Sequence, residues 1–230
     1  IHDGYYTAVS VVWVWGYSYS VTYNNNICDN LIYNIGQGWL SDMGGIYTLG
    51  NQHGTVISGN IIHNVAADPD EGGYGGWGIY LDEGSSYITV EKNLAYSCGS
   101  NAYHLNYGSY NTVRNNIFAL SGESQFKTVS NLGRVTPDDG GKKTIDLFNN
   151  IILTDGGTRA VSNISDKAAW NEYNNIYWDL SLGDDIYIDI GDRADRSVGI
   201  QRAMVKGLVT SPTIADPMFR DAANFDFELN

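Results

Sequence analysis

The sequence has few prolines, cysteines and positive charges. Among 230 residues it contains 4 Pro, 2 Cys and 13 Lys or Arg. Its 26 Asp and Glu residues leave a net charge of -13, which would repel nucleic acid and anionic membranes. No apolar run is long enough for a transmembrane helix, and no signal peptide opens the chain. We therefore expect neither nucleic acid nor membrane as a partner, and a neutral or cationic ligand.

The two cysteines, Cys28 and Cys98, exclude a disulfide-rich scaffold. A single disulfide is possible, but core positions for both thiols are the expected arrangement. Neither cysteine belongs to a CxxC pair or to a Cys/His spacing typical of zinc sites. The sequence therefore predicts no metal centre and no cofactor.

Aromatic residues are abundant. They make up 13% of the chain, with 17 Tyr and 6 Trp, whereas charged residues account for only 17%. Flat aromatic rings suit stacking on sugar faces. The length fits a single domain over residues 1–230, and both ends read like domain interior, so we expect a fragment of a longer chain.

One pattern recurs along the chain, an Asn followed by apolar residues. The six copies lie 23 to 34 residues apart, at Asn30, Asn60, Asn93, Asn116, Asn150 and Asn175. The residues between them form short β-branched and aromatic runs without a helical period. Units of this kind bury their apolar faces only by stacking. The sequence predicts an all-β, right-handed parallel β-helix, with coils over about 20–183 and a closing appendage over 184–230 that has a short helix near 198–206.

The recurring Asn has a structural explanation. Asn tolerates the left-handed backbone of a tight turn, and stacked side-chain amides can hydrogen-bond to one another. We therefore expect a column of amides along the solenoid. The same spacing puts His63 in a column with Tyr33 and Tyr96, as a filler of that column.

Three coils can be aligned without a gap. This alignment gives one column of inward-facing residues, Ile46, Ile79 and Ala102, and a neighbouring column of outward-facing residues, Tyr47, Tyr80 and Tyr103. Asp82 then lies outside, beside the tyrosines. His104 faces the core, and Glu83 points inward unless a turn begins there.

Four acids are candidates for catalysis, ranked Asp82, Asp42, Glu83 and Glu123. Glycoside hydrolysis needs two carboxylates across a sugar-binding groove, one as acid and one as nucleophile or base. On a straight strand Asp42 and Asp82 would be about 23 Å apart at about 3.3 Å per residue. Either the chain bends at 44–45, or the partner of Asp82 is another of these acids.

Two motifs carry a resemblance, SDMGGIYTLG from Ser41 and GGWGIYLDEGSS from Gly75. Together with HLNYGSYNTVRNNIFA and ADPMF, they resemble bacterial right-handed parallel β-helix proteins of carbohydrate metabolism. The chain is most similar to glycoside hydrolase family 141, which includes xylan- and fucoside-cleaving members, and more distantly to the β-xylosidases of family 120. The resemblance implies a secreted or periplasmic enzyme with catalytic acids at Asp42 and at Asp82 or Glu83.

The chain departs from the family at two places. Where the family pattern is close to FHQHYG, this chain has YHLNYG, which keeps His104 but has Asn106 in place of the second His. Where the family has a pattern like EAQLQR, this chain has ESQFKT, which keeps Glu123 and Gln125. The candidate substrate contacts are Tyr47, Trp77, Tyr80, His104, Tyr107 and Gln125. Trp13 and Trp15 are further candidates, for which core packing is an equal alternative.

The leading prediction is a glycoside hydrolase that acts on xylan- or fucose-containing plant cell-wall polysaccharide by two carboxylates. A polysaccharide lyase on the same fold is one alternative, with Ca²⁺ at Asp68, Asp70 and Glu71. The scarcity of basic residues and the negative net charge disfavour its acidic substrate. The other alternative is a non-enzymatic carbohydrate-binding β-helix.

Overall fold

Three parallel sheets form the body of the protein. The computed structural model describes residues 1–12, 14–72, 74–128, 145–162, 170–189 and 197–230. Strands are numbered β1 to β23 along the chain. The first sheet contains β1 (Val9–Val11), β4 (Met43–Thr48), β7 (Gly76–Leu81), β10 (Asn101–Leu105), β13 (Ser124–Thr128), β16 (Arg159–Ser162), β19 (Tyr187–Asp189) and β20 (Ser197–Gly199).

The other two sheets complete each coil. The second sheet contains β2 (Asn26–Cys28), β5 (Val56–Ser58), β8 (Thr89–Glu91), β11 (Asn111–Arg114), β14 (Ile145–Phe148) and β17 (Trp170–Tyr173). The third contains β3 (Leu31–Ile35), β6 (Ile61–Val65), β9 (Leu94–Tyr96), β12 (Ile117–Ala119), β15 (Ile151–Thr154), β18 (Ile176–Asp179) and β21 (Thr213–Ile214).

The chain visits the three sheets in turn and stacks each coil on the one before. Neighbouring strands pair in parallel, for example β4 with β7 and β5 with β8, except β19 and β20 at the end of the first sheet, which pair antiparallel. The predicted parallel β-helix is confirmed. Strands of the first sheet also occur at Val9–Val11 and Tyr187–Asp189, outside the range 20–183.

The core fills the space between the sheets. It is one contiguous cluster of Ile, Val and Leu side chains, with an aromatic group at Tyr103, Phe118 and Phe126. Cys98 belongs to this core, but Cys28 is exposed, so the prediction of a core position is wrong for Cys28. Both thiols are free.

The recurring Asn side chains form a continuous ladder between the second and third sheets. The side-chain amide nitrogen of each Asn from Asn30 to Asn150 donates to the Oδ1 atom of the Asn in the next coil, at 2.9 to 3.0 Å, and the ladder ends at Asn175. The stacked-amide prediction is confirmed. The left-handed backbone conformation expected at the ladder Asn residues is found instead one position earlier, at Asp29, Gly59, Lys92, Asn115, Asn149 and Asn174.

The outer column of the third sheet is also as expected. Tyr33 pairs with His63, and His63 pairs with Tyr96. The rings stack with centroids 5.4 Å apart in the first pair and 4.8 Å in the second. His63 is therefore a member of an aromatic ladder.

The ungapped alignment is wrong by one position in the third coil. Tyr103 pairs with Ile79 and lies in the core, and His104 pairs with Tyr80 and shares the outer column. The turn after β10 has one residue fewer than the turn after β7, which shifts the register. The spacing from the ladder Asn therefore predicts the wrong face of the sheet for both Tyr103 and His104.

The final segment closes the solenoid. Helix α1 (Ile200–Val205) follows β20 and buries Ile200 and Ala203 in the core, within the range expected for a short helix. A hairpin of β22 (Phe219–Asp221) and β23 (Asp226–Leu229) packs Phe219 against the outside of the third sheet. Two 3₁₀ turns lie at Pro69–Glu71 and Ala222–Asn224. In the described residues, no helix has the length and apolarity needed to cross a bilayer.

Candidate functional site

The first sheet departs from regular strand alternation at Gly44 and Gly45. A Cβ atom on Gly45 would lie 2.6 Å from Ile62 in the core, and the next residue, Ile46, is also a core residue. Two successive inward-facing residues break the alternation of a straight strand. A Cβ atom on Gly44 would lie 2.9 Å from both the carbonyl oxygen of Ile46 and the Cβ atom of Tyr80. The absence of side chains at Gly44 and Gly45 therefore permits a tight bend.

The two leading acids accept hydrogen bonds from neighbouring tyrosines. Tyr80 donates from its hydroxyl group to Asp42 Oδ1 at 3.2 Å, and Tyr47 donates to Asp82 Oδ2 at 2.6 Å. The rings of Tyr47 and Tyr80 are in contact, with centroids 5.0 Å apart. Asp42 and Asp82 therefore lie on the same face of the first sheet, linked through two adjacent tyrosines.

Asp82 is held by donors on both oxygen atoms. Tyr47 donates to Oδ2 at 2.6 Å, and the Asn106 side chain donates to Oδ1 at 2.8 Å. The side chain lies on the outer face, as expected, yet the residue is only 5% exposed. Asp42, in contrast, is exposed, and its left-handed backbone (φ 55°) turns the chain just before β4.

The hydroxyl groups around the acids stay protonated. Burial, and next the hydrogen bond to Asp82, raise the pKa of Tyr47 far above its usual value. Burial, and next the charges of Asp82 and Asp42, raise the pKa of Tyr80 further still. Both tyrosines are therefore permanent donors that orient the carboxylates.

Two further tyrosines border the acids, and sequence reasoning missed both. Tyr6 donates to the carbonyl oxygen of Asp42 at 3.3 Å. Tyr74 packs edge to face on Trp77, with ring centroids 5.2 Å apart, and burial, followed by the charges of Asp42, Asp82 and Glu123, raises its pKa. Tyr6 precedes the first coil strand, and Tyr74 lies in the insertion before β7, so neither has a place in the repeat.

Glu123 and Glu83 occupy different surroundings from the acid pair. Glu123 accepts a hydrogen bond from Lys127 at 2.7 Å, in an ion pair that balances its charge. Glu83 lies in the turn after β7, which is one of the two positions that the sequence allowed, the other being an inward-facing strand residue. It accepts a hydrogen bond from the Tyr107 hydroxyl group at 2.6 Å. Asp42 and Asp82, in contrast, are linked through Tyr80 and Tyr47, whose rings are in contact.

Several predicted substrate contacts are buried. Trp77 is 1% exposed, donates to Asn101 Oδ1 at 2.9 Å and stacks on His104 at 4.5 Å. Tyr80 is also buried, and Tyr107 nearly so. These rings form the wall behind the acids and have little surface for stacking on a sugar. Tyr47 is half-buried and is the most accessible of the four predicted aromatic contacts.

His104 and Gln125, two further candidate substrate contacts, are also buried. His104 faces the site side of the sheet, and burial, followed by the charge of Lys127, lowers its pKa well below the usual value. Its imidazole is therefore neutral at pH 7. Gln125 is fully buried, with its amide group hydrogen-bonded to the backbone of Ser121. It has no surface to offer a substrate in this structure.

The remaining candidates lie apart from the acid pair. Asp68 caps the 3₁₀ turn Pro69–Glu71 by accepting from the backbone N–H of Asp70 at 2.9 Å. In the part of the chain that the structure describes, no group of three or more His, Cys, Asp or Glu is placed to hold a metal ion. Trp15 is exposed, so its alternative as a core residue is wrong, and Trp13 lies outside the described residues.

The fold and this site define a class of protein. It is a right-handed parallel β-helix, a fold found in carbohydrate-active enzymes and in other proteins. A family model described as "Right handed beta helix region" matches residues 6–136. The chain therefore belongs to the right-handed β-helix family. No curated protein and no solved structure matches the chain.

Proposed function

We propose that the protein is a glycoside hydrolase of xylan- or fucose-containing plant cell-wall polysaccharide, with Asp42 and Asp82 as its catalytic pair. The single observation that carries the proposal is that Asp42 and Asp82 accept hydrogen bonds from Tyr80 and Tyr47, whose rings are in contact. The proposal requires their carboxyl groups to lie within the about 5 to 9.5 Å that glycosidases use. The motif resemblance to glycoside hydrolase family 141 supports the substrate class.

The surroundings of the two acids favour different roles. Asp82 accepts hydrogen bonds on both oxygen atoms and is buried, so its carboxylate is fixed in orientation. A fixed acceptor suits the nucleophile or the general base. Asp42 is exposed, so a leaving-group oxygen could reach it. We assign Asp42 as the general acid.

A polymeric substrate also bears on where the enzyme works. Plant cell-wall polysaccharide lies outside the cell that degrades it, so we propose a secreted or periplasmic protein. The net charge of -13 is compatible with a neutral polymer and unfavourable for a polyuronate. The lyase alternative stays a prediction.

A leaving-group comparison tests the assignment. Aryl glycosides with a 2,4-dinitrophenyl group need little protonation of the departing oxygen, whereas 4-methylphenyl glycosides depend on it. We expect Asp42→Asn to lose about 10²-fold or more in kcat on 4-methylphenyl xylosides or fucosides and to keep most of its rate on the dinitrophenyl substrates. Asp82→Asn should lose activity on both.

Asp146→Asn is the matched control. Asp146 lies on β14 in the second sheet, where it accepts from Asn171 at 3.1 Å on an exposed surface. Its substitution should leave all rates unchanged. If Asp42→Asn and Asp82→Asn both hydrolyse every substrate at the rate of Asp146→Asn, the proposed function is wrong. The opposite leaving-group pattern would exchange the two roles.

A further inference from the structure

An exposed aromatic patch adjoins the acid pair. Trp39, Tyr5 and Leu40 line a shallow depression with a volume of about 410 Å³. Trp39 is 70% exposed and Tyr5 is 60% exposed. The two rings meet edge to face, with centroids 6.4 Å apart. Unlike the buried aromatic wall behind the acids, this patch presents large ring surfaces to solvent.

The backbone around this patch is held in place. Gly36 donates to the carbonyl oxygen of Gly4 at 2.8 Å, which ties the segment that carries Tyr5 to the loop that carries Trp39. At the other end of that loop, the backbone N–H of Asp68 donates to the carbonyl oxygen of Leu40 at 3.1 Å. The backbone that carries both rings is therefore fixed before a ligand binds, which lowers the entropy cost of binding.

The patch is continuous with the Asp42 side of the site. Tyr6, the residue after Tyr5, donates to the carbonyl oxygen of Asp42. Thr7, the next residue, accepts from the backbone N–H of Gly44 at 3.3 Å at the bend. Trp39 itself is only three residues before Asp42. A polymer lying across the acid pair would meet the patch at its next sugar units.

We propose that Trp39 and Tyr5 form a binding site for a neutral sugar ring of the polysaccharide, next to the acid pair on the Asp42 side. The proposal rests on the proposed function for its choice of ligand. The depression is lined by rings and one aliphatic side chain, with no charged group among its lining residues. Such a surface fits the apolar C–H face of a pyranose, and the negative net charge disfavours an anionic sugar.

Affinity electrophoresis in native gels with soluble xylan, or with fucosylated xyloglucan, tests the proposal. The background variant is Asp82→Asn, so that retention is measured without hydrolysis. Adding Trp39→Ala or Tyr5→Ala should weaken retention by about three- to tenfold, the range expected for losing one aromatic contact. Tyr23→Ala is the matched control, because Tyr23 is 63% exposed and precedes the second sheet. It should leave retention unchanged.

Three results would overturn the proposal. The background variant could show no retention by either polysaccharide, or Trp39→Ala could be retained as strongly as Tyr23→Ala. Trp39→Ala could also convert a dimer into a monomer in sedimentation while retention stays the same, which would make the patch a contact between two copies.

The binding and hydrolysis results separate the two proposals. If retention depends on Trp39 but the wild-type protein hydrolyses no glycoside, the sugar site stands and the hydrolase proposal fails. If hydrolysis depends on Asp82 but retention is indifferent to Trp39, the hydrolase proposal stands and the sugar site fails.

Discussion

Replacing Asn116 by Ala tests the role of the amide ladder. The Asn116 side chain donates to Asn150 Oδ1 at 2.9 Å and to the carbonyl oxygens of Val90 and Arg114 at 3.0 Å. Its own Oδ1 atom accepts from the backbone and the side-chain nitrogens of Asn93, at 2.9 and 3.0 Å. Truncation removes all five hydrogen bonds from a buried position.

The expected cost follows from the groups that lose their partners. Each net hydrogen bond contributes about 1 kcal/mol, and a buried group left unpaired costs about 1 to 3 kcal/mol. The backbone N–H of Asn93 loses the acceptor it has in the ladder. We therefore expect Asn116→Ala to lower the free energy of unfolding by about 4 kcal/mol, a large part of the about 5 to 15 kcal/mol typical of a domain.

Asn30→Ala is the matched comparison at the edge of the ladder. Its side chain donates to Asn60 Oδ1 and to the Cys28 carbonyl oxygen, partly in solvent, and its backbone N–H keeps a bond to Asn60. The expected loss is about 1 kcal/mol. Urea unfolding followed by far-ultraviolet circular dichroism measures both variants, provided that they keep the wild-type m-value. A loss for Asn116→Ala no larger than that for Asn30→Ala would refute the ladder's energetic role.

Three further predictions concern single groups. Burial raises the pKa of Glu172 above its usual value, so the folded state binds more protons than the unfolded state and stability falls as the pH rises from the usual pKa to the raised one. Urea unfolding at about pH 4.5 and about pH 7.5 should show this fall, which amounts to about 1.4 kcal/mol for each pH unit over which only the folded state is protonated, and Glu172→Gln should lack it. An equal fall in the variant would contradict it. The buried Tyr103 hydroxyl group has no hydrogen-bond partner among the residues that the structure describes, so Tyr103→Phe should keep or raise the free energy of unfolding, by up to about 2 kcal/mol, and a clear loss would contradict this. Tyr47→Phe should lower kcat by about tenfold because Asp82 Oδ2 loses its donor, with little change in thermal midpoint, whereas an unchanged kcat would separate Tyr47 from the chemistry.

The fold could be predicted because its determinants repeat. The Asn ladder and the apolar columns recur once per coil, so several independent copies of the pattern point to the same stacking. The left-handed position beside each ladder Asn was harder to place, since Gly59, Lys92 and Asn115 share no chemical character. The neighbouring coils determine that conformation, and the residue type alone does not.

Register within a coil could not be predicted with the same accuracy. Turns between sheets tolerate a change of one residue, and every side chain of the following or preceding strand then moves to the other face. This is why Tyr103 was expected outside and His104 inside, when the structure has the reverse. The distinction decides whether His104 belongs to the wall of the site.

The acids could be identified from the sequence, but their position beside neighbouring tyrosines could not. The position of Asp42 beside Tyr80 depends on the path of the chain at Gly44 and Gly45, and paired glycines in a sequence are equally compatible with a straight strand. Tyr6 and Tyr74 could not be assigned at all, because they lie in segments outside the repeat. Exposure, which separates Trp39 from the buried rings, is likewise a property of the folded chain.

The most direct measurement of the central claim is the rate of glycoside hydrolysis by Asp42→Asn, Asp82→Asn and the double variant. Two carboxylates that act as one unit should each be indispensable on a substrate with a poor leaving group, so each single substitution should lower kcat/KM by about 10²-fold or more. The double substitution should then cost little beyond the more severe single one. If either single variant keeps at least half of the wild-type kcat/KM on such a substrate, Asp42 and Asp82 are not the catalytic pair.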